Sequence, residues 1–114
     1  MNPRPQVVAT TRRSSAVDLE LLIGADLPQF VGHFAEAPMV AGLVQVDWAI
    51  GFGRDHFPQL PPRFVSISAL KFMRVIQPGD RPCLSLTGDD TALRFRYWDV
   101  RGDFSSGDIA FADA

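Results

Sequence analysis

Val17, Leu19, Leu21 and Ile23 occupy alternate positions, with Asp18 and Glu20 between the first three. That is the period of a strand with one buried face. Gly24 to Pro28 break the alternation, and residues 28–41 read as a loop in which Pro38 keeps Ala37 out of helical conformation. From Gly42 to about Phe57 no proline intervenes, and Leu43, Val44, Val46, Trp48, Ala49, Ile50 and Phe52 cover nearly the whole helical circumference. The pattern predicts a central, buried helix about 24 Å long, ended by PQLPP at residues 58–62. Four β-rich stretches follow, Phe64 to Val75, Pro82 to Thr87, Thr91 to Val100 and Phe104 to Phe111. QPGD, GDD and RGD between them are turn chemistry. The order predicted is one or two strands, a long helix, then about four antiparallel strands: an α+β fold with the helix laid on one face of a curved sheet.

At 114 residues the chain is expected to form a single domain over residues 1–114, with residues 1–5, which hold two prolines, frayed. Hydrophobic residues make up 46% and charged residues 21%, with nine Phe and two Trp, the profile of a globular protein and not of a disordered one. A net charge of −2 lacks the basic excess of a protein that wraps a phosphate backbone, so nucleic acid is not expected as a partner. The single cysteine, Cys83, has no internal disulfide partner, and two histidines make no cluster at zinc-ligand spacing. The setting expected is reducing and cytoplasmic. Pro38, Gln45 and Asp47 interrupt the longest apolar run, residues 37–53, which falls short of a membrane span. The N-terminus has no apolar core of a signal peptide, so the chain reads as soluble and unprocessed.

Against that background two polar residues stand out. His33 lies in the loop, and Asp47 lies inside the apolar helix, where a carboxylate is costly unless paired or put to use. Taken alone, His33 could be an ordinary loop histidine, and Asp47 a structural carboxylate accepting backbone N–H bonds. His56, at the helix end, reads as a cap whose partly positive ring favours the dipole. Cys83 reads as a small buried strand residue. RFRYW, residues 94–98, places Arg94, Arg96 and Trp98 on one face and Phe95 and Tyr97 on the other, which suggests a sheet edge or solvated face and not a nucleic-acid platform.

Gly32, His33, Phe34, Pro38, Gly42 and Asp47, in that order and without a gap, together with Lys71, Phe72, Arg74, Pro78, Gly79 and Asp80, resemble the two signatures of the hotdog-fold 3-hydroxyacyl-acyl-carrier-protein dehydratases. The resemblance runs over roughly residues 15–112. The brief N-terminus and the VQVDWA run at 44–49 look most like the short dehydratases of aryl-polyene pigment synthesis. Ala35 and Ala41 stand where the family usually has proline, which fixes φ, so the loop and helix start should be less pre-organised.

The resemblance implies a hotdog fold, a curved antiparallel sheet wrapped around the long helix. It also implies an activity: loss of water from a 3-hydroxyacyl thioester on an acyl carrier protein. His33 would be the base at C2, suited by an ordinary pKa near 6.5. Asp47, its proton retained by desolvation, would be the acid at the C3 hydroxyl. The N–H of Gly42 at the helix start would hold the thioester carbonyl. Phe34, Pro38, Leu43 and Trp48 would line the substrate tunnel, while Arg54, Arg63, Lys71 and Arg74 could meet the acidic carrier. No metal or redox cofactor is implied; the substrate arrives on phosphopantetheine. In the family, His and acid come from opposite protomers, which implies a homodimer, or a heterodimer with a related hotdog subunit, and an inactive monomer. Two alternatives share the fold: an acyl thioesterase, and a non-catalytic acyl-binding subunit of a heterodimer, for which Ala35 and Ala41 speak.

Overall fold

The computed structural model describes residues 4–27 and 40–113. Strands β1 (Gln6–Arg13) and β2 (Ala16–Leu22) precede helix α1 (Gly42–His56), and β3 (Arg63–Phe72), β4 (Cys83–Gly88), β5 (Ala92–Asp99) and β6 (Gly102–Ala112) follow it. They form one six-stranded antiparallel sheet in the order β1-β2-β4-β5-β6-β3. The alternation read from β2 is observed: Val17, Leu19 and Leu21 are fully buried, with Asp18 and Glu20 between them on the outer face. Leu84 and Leu86 of β4, Leu93, Phe95 and Tyr97 of β5, and Ile109 and Phe111 of β6 continue the same inner face. On it lies α1, through Val46, Ala49 and Phe52, positions spaced three apart on one side of a helix. At Gly53 the approach is so close that an added Cβ would sit 2.4 Å from Cδ2 of Leu93.

Of the one or two strands expected before the helix, both are present; since all eight residues of β1 are exposed, it carries no alternation to read. Other expectations are corrected. The helix ends at His56, where the N–H of Phe57 donates to the carbonyl of Gly53 at 2.7 Å. β3 stops at Phe72, after a bulge between Ser68 and Lys71 where Ala69 takes φ 52°. RFRYW belongs to a central strand, although Phe95 and Tyr97 do face inward and Arg94 and Arg96 outward.

Among the described residues, the helix is covered on one side only. Leu43 is 82% exposed and Asp47, four residues on along the same face, is exposed too. The apolar circumference exceeds what one small sheet can cover. The positive group at the helix C-terminus is likewise not His56. Arg12 reaches across from β1, one nitrogen 2.7 Å from His56 Nδ1 and the other donating to the His56 carbonyl at 3.3 Å. Burial first, and the Arg12 charge second, hold the imidazole below its ordinary pKa.

The segment after β3 is a brace. Arg74 donates to Asp99 at 2.6 Å and to the Gly102 carbonyl at 2.8 Å, with its guanidinium 3.9 Å from the Phe104 ring centroid. Gly79 adopts φ 91°, donates its N–H to the Ile23 carbonyl at 2.7 Å, and lets Asp80 accept the Gln77 N–H at 2.8 Å. The second signature motif thus ties the β5–β6 turn and the end of β2 together. Hydrogen bonding from Arg74 holds the Asp99 carboxyl below its ordinary pKa of 3.8. A depressed carboxyl contributes stability that is fully present above the unfolded value and is lost as pH falls through the folded one. Thermal melts of Asp99→Asn beside wild type should therefore show a gap at pH 7 that closes as the pH drops below about 3.8; a gap that widens in acid would contradict this.

Candidate active site at the start of the helix

The chain enters α1 through Val40, which is fixed from both sides. Its N–H donates to the Ile76 carbonyl at 2.8 Å, and its carbonyl accepts from Nε2 of Gln45 at 3.1 Å. Ala41 is the N-cap residue, with φ −62° and ψ 150° and no side-chain hydrogen bond to the helix. That φ is the one proline would impose, so the backbone keeps the conformation although the ring is missing. Ala41→Pro should raise stability by about 0.4–1 kcal/mol through the unfolded chain, measured as a shift of the urea midpoint with unchanged slope.

The N–H groups of Val44 and Gln45 both donate to the Ala41 carbonyl at 3.1 Å, which leaves those of Gly42 and Leu43 as the outermost of the helix. No acidic side chain occupies the first turn. A polarised, uncapped helix start of this kind favours an oxygen that gains negative charge. It opens on a cavity of about 340 Å³ between Val40, Ala41, Gly42 and Gln45 on one side and residues 72–75 on the other. The tip of the Phe72 ring would lie 2.6 Å from a Cβ placed on Gly42. Glycine is required there for the ring to lie across the helix start.

Gly42 and Asp47 both belong to α1, about 7.5 Å apart along its axis. Asp47 was expected to be buried; within one chain it is exposed, on the face it shares with Leu43. Its charge still reaches the interior. Tyr97 is held well above its ordinary pKa by burial, with a smaller contribution from Asp47, so its hydroxyl remains a donor, and it bonds the Gln45 carbonyl at 2.6 Å. Trp48 is fully buried in the core and does not line this cavity. His33, Phe34 and Pro38 lie outside the described residues.

Of the four cations expected near the mouth, three are bonded within the chain. Arg54 donates to the carbonyls of Pro61 and Pro62 at 3.0 and 3.1 Å and lies over Phe111, and Arg74 is the brace described above. Arg63 donates to the Asp113 carbonyl at 3.3 Å, and Lys71 is exposed on β3. Cys83 opens β4, half-buried, its thiol pKa raised chiefly by burial. Among the described residues no group of three or more His, Cys, Asp or Glu is placed to hold a metal ion. No described helix is long and apolar enough to cross a membrane.

The residue that sequence reasoning missed is Gln45. It is 3% exposed, and besides Val40 it bonds Ser105, whose hydroxyl donates to Oε1 at 2.6 Å. Its partners lie on strands 52 and 60 residues away, so the only local signal was a polar residue in an apolar helix, the same signal that drew attention to Asp47.

Residues 9–108 match the model of the ApeI-like family, described as ApeI dehydratase. The chain belongs to the ApeI-like dehydratase family. Solved structures agree with this assignment. A chain of the dehydratase heterocomplex ApeI:P from Xenorhabdus doucetiae superposes with a TM-score of 0.86 at 27% identity, over 96% of this chain and 99% of that one. An uncharacterized protein from Erwinia carotovora subsp. atroseptica gives 0.80 at 28% identity, over 97% and 98%. The dehydratase domain of the polyketide PpsC from Mycobacterium tuberculosis gives 0.69 at 17% identity, covering 99% of this chain and 46% of that one, a likeness of fold alone. The fold of this ApeI-like chain is the hotdog fold, as its motifs implied.

Proposed function

We propose that this ApeI-like chain removes water from a 3-hydroxyacyl thioester on an acyl carrier protein, leaving the 2-enoyl thioester, in fatty-acid-like or polyene pigment synthesis. The observation that carries the reading is the dehydratase family match over residues 9–108, joined to a helix start that opens on an apolar cavity. Elimination needs a base at C2, an acid at the C3 oxygen and donors at the carbonyl as it gains enolate character. His33 takes the C2 proton. The C2 electron pair forms the new double bond as the C3–O bond breaks. Asp47 gives its proton to the departing hydroxyl, so that water leaves. The Gly42 N–H, at the positive end of the helix, holds the thioester oxygen throughout.

The site works in a dimer, either of this chain or of this chain with a related hotdog subunit. Exposure of Leu43, Asp47 and the β3 edge in one chain supports it, and the relative from Xenorhabdus doucetiae is itself a heterocomplex. A cytoplasmic location and the absence of a metal or redox cofactor are part of the same reading, since elimination is neither oxidation nor reduction. That heterocomplex also keeps a second reading in view, a supporting subunit that binds acyl chain without turnover. The proline-like backbone of Ala41 favours the catalytic one. Product analysis separates all three: enoyl thioester means dehydratase, free acid means thioesterase, and unchanged substrate with retained binding means a supporting subunit.

A further inference from the structure

We propose that Gln45 is a positioning residue for this site: its side-chain amide, clamped between Ser105 and the Val40 carbonyl, sets the direction in which the Gly42 N–H meets the substrate carbonyl. The inference rests on the dehydratase reading for its kinetic consequence, and on the structure alone for the clamp.

Gln45 is almost fully buried, yet it lines the cavity at the helix start. Each half of its amide has one task. Oε1 accepts from the Ser105 hydroxyl at 2.6 Å, and Nε2 donates to the Val40 carbonyl at 3.1 Å. Its own backbone carbonyl accepts the Tyr97 hydroxyl at 2.6 Å. β5 and β6 thus both grip the first turn of α1, and through Val40 they grip the two residues that lead into Gly42. Ala41 supplies no ring to stiffen this entry, so the clamp supplies the stiffness. Only a side chain that accepts at one atom and donates at its neighbour satisfies both partners.

That requirement gives a test with its own signature. A glutamic acid here has the shape of glutamine and, while protonated, can still donate to Val40. Once ionised it only accepts, and a carboxylate oxygen would face the Val40 carbonyl oxygen. Burial raises the pKa of a carboxyl at this position above the ordinary value near 4.3. The charged groups around it are Asp47 on the same helix, which acts in the same direction, and Arg74 at the cavity wall, whose guanidinium is engaged by Asp99 and Gly102. Tyr97 on β5 stays neutral and bonds the backbone, and β6 contributes the uncharged Ser105.

Gln45→Glu is therefore expected to dehydrate substrate at near wild-type kcat at low pH. It should lose about 10–100-fold relative to wild type as pH rises, the scale of a small misplacement of a catalytic group, with KM changed little. Gln45→Leu should be slow at every pH. A second readout needs no turnover: the Gly42 amide resonance of Gln45→Glu should match wild type at low pH and move away at high pH, with the midpoint seen in the kinetics. Because each pH point uses the same protein, a general loss of folding cannot imitate the titration. A kcat ratio independent of pH, or a Gly42 resonance that does not move, overturns the proposal. Wild type inert both alone and with candidate hotdog partner subunits overturns the dehydratase reading instead, and the resonance titration then still decides whether Gln45 holds the helix entry.

Discussion

Asp47→Asn and His33→Ala should each slow the loss of water by about 10²–10⁴-fold, the contribution of a placed general acid or base. The asparagine keeps the size and polarity of Asp47 but has no proton to give to a departing hydroxyl. The replacement is nearly isosteric and adds no charge, so the melting temperature should change far less than the rate. His33→Ala removes the proposed base. Paired measurements of single-turnover rate and thermal midpoint check both points. A large fall in rate at constant stability identifies chemistry; an Asp47→Asn protein that is as fast as wild type would reduce Asp47 to a structural carboxylate.

The second large effect is expected at the edge of the sheet. Among the described strands β3 has a neighbour on one side only, and Phe64, Val65, Leu70 and Phe72 on it are 40–51% exposed, as are Met73 and Val75 just beyond. Natural edge strands are usually shortened, charged or covered, and this one is long and apolar. With Leu43 on the adjoining helix face, it is the surface a second subunit would bury. Val65→Lys places a charge in that surface, so the solution mass should fall to that of one chain at micromolar concentration. Activity should fall with it, by about 100-fold or more, because His33 and Asp47 of one site then no longer meet. Light scattering coupled to the turnover assay makes both observations on one sample. A monomeric variant with full activity would mean that one chain holds a complete site.

These two expectations also mark where sequence reading succeeds and where it stops. β2 was legible because its two faces meet different surroundings, and the motif turn at Gly79 because only an unusual backbone explains a glycine between proline and aspartate. β1 was illegible because both its faces are exposed. The helix illustrates a subtler limit. Its apolar circumference was read correctly from residues 43–52, but that reading assumed that the chain itself provides the cover, whereas the sheet covers one side and leaves Leu43 and Asp47 outside. Local pattern reports that a face is apolar; it does not report which molecule lies against it. The clamp around Gln45 was hidden for a different reason, since a hydrogen-bond network across 60 residues of sequence leaves no periodic trace.

The most direct test of dehydration is intact-mass analysis of a 3-hydroxyacyl chain loaded on an acyl carrier protein and exposed to the wild-type protein, alone and with candidate hotdog partner subunits. Loss of one water with the thioester still attached is the predicted result. Release of free acid, or an unchanged acyl mass with every partner, would contradict it.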